Sequence, residues 1–159
     1  KTKTLEEGRQ ILLEKLHTGK ALEKFYEMVE NQGGDTKVVD DYNLLPRANY
    51  SMNVTAEADG YVKHINSEQI GIAALESGAG RITKDSGIDL GAGIMLLKKI
   101  GDSVNQGDII ATIHTNDETK LSDICRRVKA SYQITDERVA LPQLVYGVVD
   151  SQGIHKDFE

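Results

Sequence analysis

The first 34 residues alternate apolar and polar positions with the period of an α-helix. A capping box opens the first helix, because the side chains of Thr4 and Glu7 can each satisfy a free backbone N–H group of the first turn. Gly19 is a plausible end for this helix, and a second helix ends at Gly33-Gly34. The apolar faces of the two helices carry Leu5, Leu12 and Leu16, then Leu22, Phe25, Tyr26 and Val29.

Residues 1–34 are therefore predicted to form a helical hairpin, in which a tight turn joins two amphipathic helices. Such a pair cannot bury both apolar faces alone and needs another surface to pack on. Residues 35–49 have no clear period and include Pro46, so they are predicted to be a linker with one short strand at Lys37–Val39.

The pattern becomes that of a β-strand from Tyr50 onward, where apolar residues alternate with polar ones. Asp59-Gly60 is a strong turn signal, so residues 61–65 are predicted to return as the second strand of a hairpin. A short helix is predicted over residues 67–77, with Asn66 or Ser67 as its cap.

Residues 78–159 continue to mix the two periods. Thr115 and Glu118 form a second capping box, which predicts a helix with an apolar stripe of Leu121, Ile124, Cys125 and Val128. Further strands are predicted at residues 94–100, where the run is apolar enough to be buried, and at 109–114, 131–135 and 144–149. Residues 50–159 are thus predicted to be a compact α+β domain, with a mostly antiparallel sheet and short helices.

The chain has 159 residues, a formal net charge of −6 and one cysteine, Cys125. Its negative charge argues against binding a nucleic-acid backbone as the main task. No apolar run is long enough to cross a bilayer, and the charged, helical start is unlike a signal peptide. The absence of an internal disulfide fits a reducing compartment, so we expect a cytoplasmic location. The sequence has no initiator methionine, which suggests a piece of a longer protein.

The sequence offers no self-sufficient catalytic centre. Its histidines do not fall in a metal-binding pattern, and no serine lies in a GxSxG motif. We assign no catalytic, cofactor-binding or metal-binding residue. The histidines are His17, His64, His114 and His155.

A glycine-rich, basic segment is the one candidate site. Gly78-x-Gly80 lacks the third glycine of a dinucleotide-binding fingerprint, and Gly78 is most simply the left-handed residue that closes a helix. Arg81 and Lys84 follow in a loop and could face a neighbouring active site.

Three stretches together resemble the C-terminal region of the thymidine and pyrimidine-nucleoside phosphorylases, over roughly Leu5 to Val149. The most specific stretch contains Ala56-Glu-Ala-Asp-Gly60-Tyr-Val, Ala73-Ala74-Leu75-Glu76 and Gly78-Ala-Gly-Arg81. The other two contain Gly19-Lys-Ala-Leu-Glu-Lys-Phe and Gln32-Gly33-Gly34-Asp35, then Asp89, Gly93-Ile94, Lys98-Lys99, Gly101-Asp102, Gly107 and Ala111-Thr112-Ile113.

The resemblance implies an enzyme that cleaves a pyrimidine nucleoside with phosphate in a cleft between an all-α and an α/β domain. Residues 1–34 would end the preceding domain, and residues 50–159 would brace the phosphate side of the cleft. Phosphate would be the co-substrate, the N-terminal portion the partner, and the full-length protein a homodimer. The family's substrate-binding and metal-binding residues lie upstream, so we expect this chain alone to be inactive.

Two other functions stay open. Residues 101–113 resemble one half of a biotinyl or lipoyl carrier domain, which we interpret as a barrel-sandwich (hammerhead-like) feature of the fold. The carrier lysine motif is absent, and Lys120 lies inside a predicted helix. A pure protein-interaction domain would show the same pattern, but it would bind an unrelated partner.

Overall fold

The computed structural model describes residues 4–81 and 83–155 and divides the chain into two compact units, Lys1–Pro46 and Arg47–Glu159. The first unit contains α1 (Leu5–His17) and α2 (Lys20–Asn31). The Thr4 side chain accepts a hydrogen bond from the backbone N–H of Glu7, which confirms the predicted cap. No residue of either helix is buried.

The strand predicted at Lys37–Val39 is wrong. Thr36–Val39 forms a 3₁₀ turn, in which the Asp35 side chain accepts the backbone N–H of Lys37. A second 3₁₀ turn follows at Tyr42–Leu44, with a similar cap. An aspartate that bonds the backbone two residues ahead folds the chain locally, and this competes with an extended conformation.

The second unit has a mixed order of strands and helices, which confirms the α+β class. Its strands and helices are β1 (Tyr50–Thr55), β2 (Gly60–Ile65), α3 (Ser67–Ala74), β3 (Gly93–Leu96), β4 (Ser103–Val104), β5 (Ile109–Thr115), α4 (Leu121–Ala130), β6 (Tyr132–Thr135), β7 (Val148–Asp150) and β8 (Gly153–His155). No helix in the described part of the chain is both long and apolar enough to span a bilayer.

The strands form antiparallel sheets, as predicted, but not the predicted hairpin. One sheet has the order β1-β5-β3, another has the order β4-β2-β6, and β7 pairs with β8. The strands β1 and β2 therefore lie in different sheets, although a turn joins them. Barrel-sandwich features were expected from the sequence. Within residues 4–81 and 83–155 neither three-stranded sheet closes into a barrel.

Gly60 shows why the strand after the turn pairs with β6 and not with β1. Its φ is +146°, and a Cβ atom at this position would lie 2.2 Å from the carbonyl O of Thr135. Glycine is needed here because β2 passes close to the backbone of β6.

The core of the second unit joins the sheets through α4. Leu121, Ile124 and Val128 of α4 are buried, which confirms the predicted apolar stripe. Ile110 and Ile113 of β5 are at most 1% exposed. The other buried apolar residues are Val54, Ala56, Val62, Ala73, Val104, Ala111 and Tyr132, and Cys125 packs partly buried against them.

The second predicted capping box is wrong. Thr115 is fully buried, and its hydroxyl donates to the carbonyl O of Ser77 at 2.8 Å instead of capping a helix. A buried hydroxyl must be hydrogen-bonded, and this contact satisfies it. The helical segment begins at a 3₁₀ turn, Glu118–Lys120, whose cap is Asp117.

Two further strand predictions are displaced. The buried strand predicted at residues 94–100 is β3, which ends at Leu96 and is only partly buried. The strand predicted at residues 144–149 overlaps only the first two residues of β7, Val148–Asp150. The first run is only partly buried and β7 is exposed, so the full burial that would fix the boundaries of these strands is missing in the described residues.

Candidate functional site

The glycine-rich, basic loop runs from Gly78 to Gly91. Helix α3 is capped by the Asn66 side chain, as predicted, and continues into a π-helical turn, Leu75–Ala79. Gly78 within this turn has a φ of +112°, which confirms that it is the left-handed residue closing the helix. A Cβ atom at this position would lie 3.3 Å from Cβ of Asp89, so the two stems of the loop approach closely here.

The loop presents two exposed cations. Arg81 and Lys84 are exposed, and neither has an ionic partner among residues 4–81 and 83–155. A turn follows, in which the backbone N–H of Thr83 donates to Oγ of Ser86 at 3.0 Å. Gly80 has an extended backbone, and a Cβ atom there would lie 3.3 Å from Leu75. Unpaired cations on a loop can attract a phosphate group.

Asp89 ties the far stem of the loop to the end of β5. Its Oδ2 accepts a hydrogen bond from Nδ2 of Asn116 at 2.7 Å, and its Oδ1 accepts the backbone N–H of Gly91 at 2.9 Å. The bond from Asn116 and then the bond from Gly91 hold the pKa of Asp89 below its ordinary value. Sequence reasoning missed this pair, because the two residues are 27 positions apart and only Asp89 belonged to a noted stretch.

A second polar cluster joins α3 and α4. Arg127 donates to both carboxylate oxygens of Glu76, at 3.0 Å and 2.9 Å, and to Oε1 of Gln69 at 2.8 Å. These three side chains line a cavity of about 650 Å³, together with other residues of α4 and Ser131, which follows it. Sequence reasoning missed this cluster, because Arg127 and Glu76 are 51 positions apart and only Glu76 belonged to a noted stretch.

The other residues considered from sequence do not converge. His64 and His114 lie in different sheets. Among the described residues, no three or more histidines, cysteines, aspartates and glutamates are grouped so that they could hold a metal ion. Lys120 ends a 3₁₀ turn and pairs with Asp117 at 3.3 Å, whereas a carrier lysine would stand at the tip of a hairpin.

The second unit, in which this loop lies, is similar to known proteins. Residues 61–135 match the family model described as the pyrimidine nucleoside phosphorylase C-terminal domain. The chain is also similar to the pyrimidine-nucleoside phosphorylases of Staphylococcus aureus strains USA300 and COL. Each is 42% identical over 149 residues, which cover 94% of this chain and 34% of the relative. The chain thus spans about a third of the length of the curated relatives it matches.

Proposed function

We propose that this chain, whose residues 61–135 match the family model of the pyrimidine nucleoside phosphorylase C-terminal domain, is the C-terminal portion of a phosphorolytic enzyme. Such an enzyme converts a pyrimidine nucleoside and phosphate into the free base and a pentose 1-phosphate. The observation that carries the proposal is the 42% identity, over 94% of this chain, to relatives of that name.

The second unit supplies a rigid support for the cleft and a basic loop at its edge. Phosphorolysis depends on holding phosphate in line with the sugar carbon while the base departs, so a domain that braces the cleft contributes through positioning. The exposed cations Arg81 and Lys84 add positive charge that suits a phosphate dianion. We propose that this loop faces the cleft.

The first unit packs on the N-terminal portion of the same enzyme. Both helices keep large apolar side chains in solvent, and a pair of short helices has little stability without a partner surface. The exposed apolar side chains are Leu5, Ile11, Leu12, Leu16, Leu22, Phe25 and Met28. Burying such a surface is favourable in proportion to its apolar area.

The remaining assignments follow from the same proposal. The complete enzyme is a cytoplasmic homodimer that acts in pyrimidine salvage, with phosphate as its co-substrate. This portion of it holds no further cofactor and binds neither nucleic acid nor membrane. The isolated chain has no phosphorolytic activity, because the substrate-binding residues belong to the N-terminal portion.

A chimera tests the role of the loop. The matched C-terminal third of the strain USA300 relative is replaced by this chain, and phosphate-dependent release of uracil and thymine is followed. We expect an active chimera in which Arg81→Ala or Lys84→Ala lowers kcat/KM for phosphate on the order of tenfold, the equivalent of about 1.4 kcal/mol. The melting temperature should stay unchanged.

Lys63→Ala is the matched control, since Lys63 is an exposed cation that lies on β2 and does not belong to the loop. Its kinetic constants should equal those of the parent chimera. A folded chimera without phosphorolysis would contradict the proposed function. An active chimera in which both loop variants behave like Lys63→Ala would show that the loop does not face phosphate.

A further inference from the structure

Three hydrogen bonds close the base of the basic loop around the end of β5. The backbone N–H of Asp89 donates to the carbonyl O of Gly78 at 2.9 Å, which joins the two stems. Thr115, at the end of β5, donates to the carbonyl O of Ser77 on the first stem at 2.8 Å. Asn116 donates to Asp89 on the second stem at 2.7 Å. We call these five residues the loop-base cluster.

The cluster joins the loop to the end of a buried, central strand. Thr115 is fully buried, with 0% of its surface accessible, and β5 is the central strand of its sheet. Asn116 also accepts the backbone N–H of Asn49 at 2.8 Å through its Oδ1. The side-chain amide of Asn116 is therefore fixed in one orientation, because its oxygen and its nitrogen each have a partner.

From this arrangement we propose that Asp89 and Asn116 are positioning residues, whose hydrogen bond holds Arg81 and Lys84 in a fixed relation to the core. The claim that this bond restrains the loop rests only on the observed hydrogen bonds. The consequence for catalysis rests on the proposed function, in which the two cations serve phosphate.

An exchange of the two side chains tests the bond directly. In Asp89→Asn the new amide can still accept the N–H of Gly91, but its nitrogen then faces the nitrogen of Asn116, so two donors oppose each other. In Asn116→Asp two carboxylates face each other. The double variant restores a donor opposite an acceptor and keeps the bonds from Gly91 and Asn49. The double variant also has the net charge of the parent, so the two single variants exclude a bulk effect of charge: one loses and the other gains a negative charge, and such an effect would change cleavage in opposite directions in the two.

Trypsin reports on the loop because it cleaves after Arg81 and Lys84. Cleavage at these two sites is followed by mass spectrometry in the 159-residue chain, at a protease concentration that leaves the global fold intact. Each single variant should be cleaved about fivefold faster at both sites, as expected when one hydrogen bond that restrains local opening is lost. The double variant should return to the parent rate.

Asp136→Asn is the control for the loss of one negative charge, since Asp136 is exposed and distant in sequence from the cluster. Thermal melts check that each variant is folded. Equal cleavage in the parent and both single variants would overturn the inference, and so would a double variant that is cleaved as fast as the singles. Should one single variant fail to fold, the double variant and the other single still decide the question.

The chimera separates this inference from the proposed function. If Arg81→Ala lowers kcat/KM for phosphate, the two single variants should lower it in the same direction, and the double variant should recover it. If the single variants of Asp89 and Asn116 change trypsin cleavage while Arg81→Ala leaves kinetics unchanged, the proposed function of the loop fails and the positioning bond stands. A double variant that returns to the parent rate of trypsin cleavage but not to the parent kcat/KM for phosphate would overturn the proposed consequence for catalysis.

Discussion

At the scale of single residues, Tyr132 shows what a buried hydroxyl requires. Its side chain is only 9% exposed, and its hydroxyl lies 3.1 Å from the carbonyl O of Lys98 and 3.3 Å from that of Ile110, to which it donates. Burial, followed by the nearby Asp102 carboxylate, raises the pKa of Tyr132 to about 12. The neutral phenol is thus the form that the core accepts.

This pKa makes stability depend on alkaline pH. An unfolded tyrosine ionises near pH 10 (about its ordinary value), so the contribution of Tyr132 is complete below that pH and is lost as pH rises toward 12. We expect the ionisation of Tyr132 to lower the free energy of unfolding by at most about 1.4 kcal/mol for each pH unit in that window. Urea unfolding between pH 9 and pH 11.5 (roughly the window set by linkage) measures the slope.

Tyr132→Phe is the matched variant. It should cost about 1 kcal/mol at neutral pH through the lost hydroxyl contacts, and its stability should fall less steeply than that of the parent above about pH 10. Parallel slopes for the two proteins would contradict the assigned cause, because Tyr132 is the one titratable group by which they differ.

At the scale of helices and strands, sequence signals that act over a few residues predicted the structure well. The caps Thr4 and Asn66 and the helix-closing Gly78 were found, because each satisfies or ends its helix through neighbours in the chain. The partner of β1 was not found. Its pairing with β5 joins residues about sixty positions apart, and no local turn signal contains that information.

Gly60 provides a test of the close approach between β2 and β6. Gly60→Ala should destabilise the second unit by about 2–4 kcal/mol, because the new methyl group meets the carbonyl O of Thr135 and the φ is unfavourable. Gly71→Ala is the control. A Cβ atom there has no neighbour within 4 Å, and alanine favours the helix by about 0.5–1 kcal/mol. Similar midpoints of urea unfolding for both variants would contradict this account.

The contact between α3 and α4 gives a second test at this scale. Arg127→Met should cost about 1–2 kcal/mol, because it leaves Glu76 and Gln69 half-buried without their donor. Arg126→Met, one residue earlier in α4, should change the free energy of unfolding by at most about 0.5 kcal/mol. Its ion pair with Asp123 lies in solvent, with side-chain exposures of 75% and 73%. Equal costs for the two variants would show that Arg127 does not join the helices.

At the scale of the whole molecule, the two units differ in where their stability lies. Every residue of the buried apolar cluster belongs to the second unit, whereas α1 and α2 have 13 and 12 residues and bury none of them. The amphipathic pattern of residues 1–34 predicted these unsatisfied faces correctly, since helical spacing is a local property. The surface that covers them is not encoded in this pattern.

Separate production of the two units tests this difference. Residues 47–159 should unfold cooperatively in urea, because they retain the whole buried cluster. The peptide 1–46 should show little helix by far-UV circular dichroism, since short isolated helices are marginal in water. A cooperative melt of the peptide would contradict the account, and so would a non-cooperative transition of residues 47–159.

The candidate site was only partly accessible from sequence. Gly78, Gly80, Arg81 and Lys84 could be selected because glycines and cations in an irregular segment indicate an exposed loop. The bond between Asp89 and Asn116 that fixes the loop depends on the packing of β5, which sequence periodicity does not determine. Local chemistry was thus predictable, and its placement required the fold.

Complementation tests the central claim most directly. This chain is 42% identical to about a third of the strain USA300 relative. It is mixed with the separately produced N-terminal portion of that relative, which lacks the matched third. Release of uracil from uridine or of thymine from thymidine is followed with and without phosphate. Base release that requires both proteins and phosphate, with neither protein active alone, is the result the account predicts. Two folded proteins that neither bind each other nor release base would contradict it.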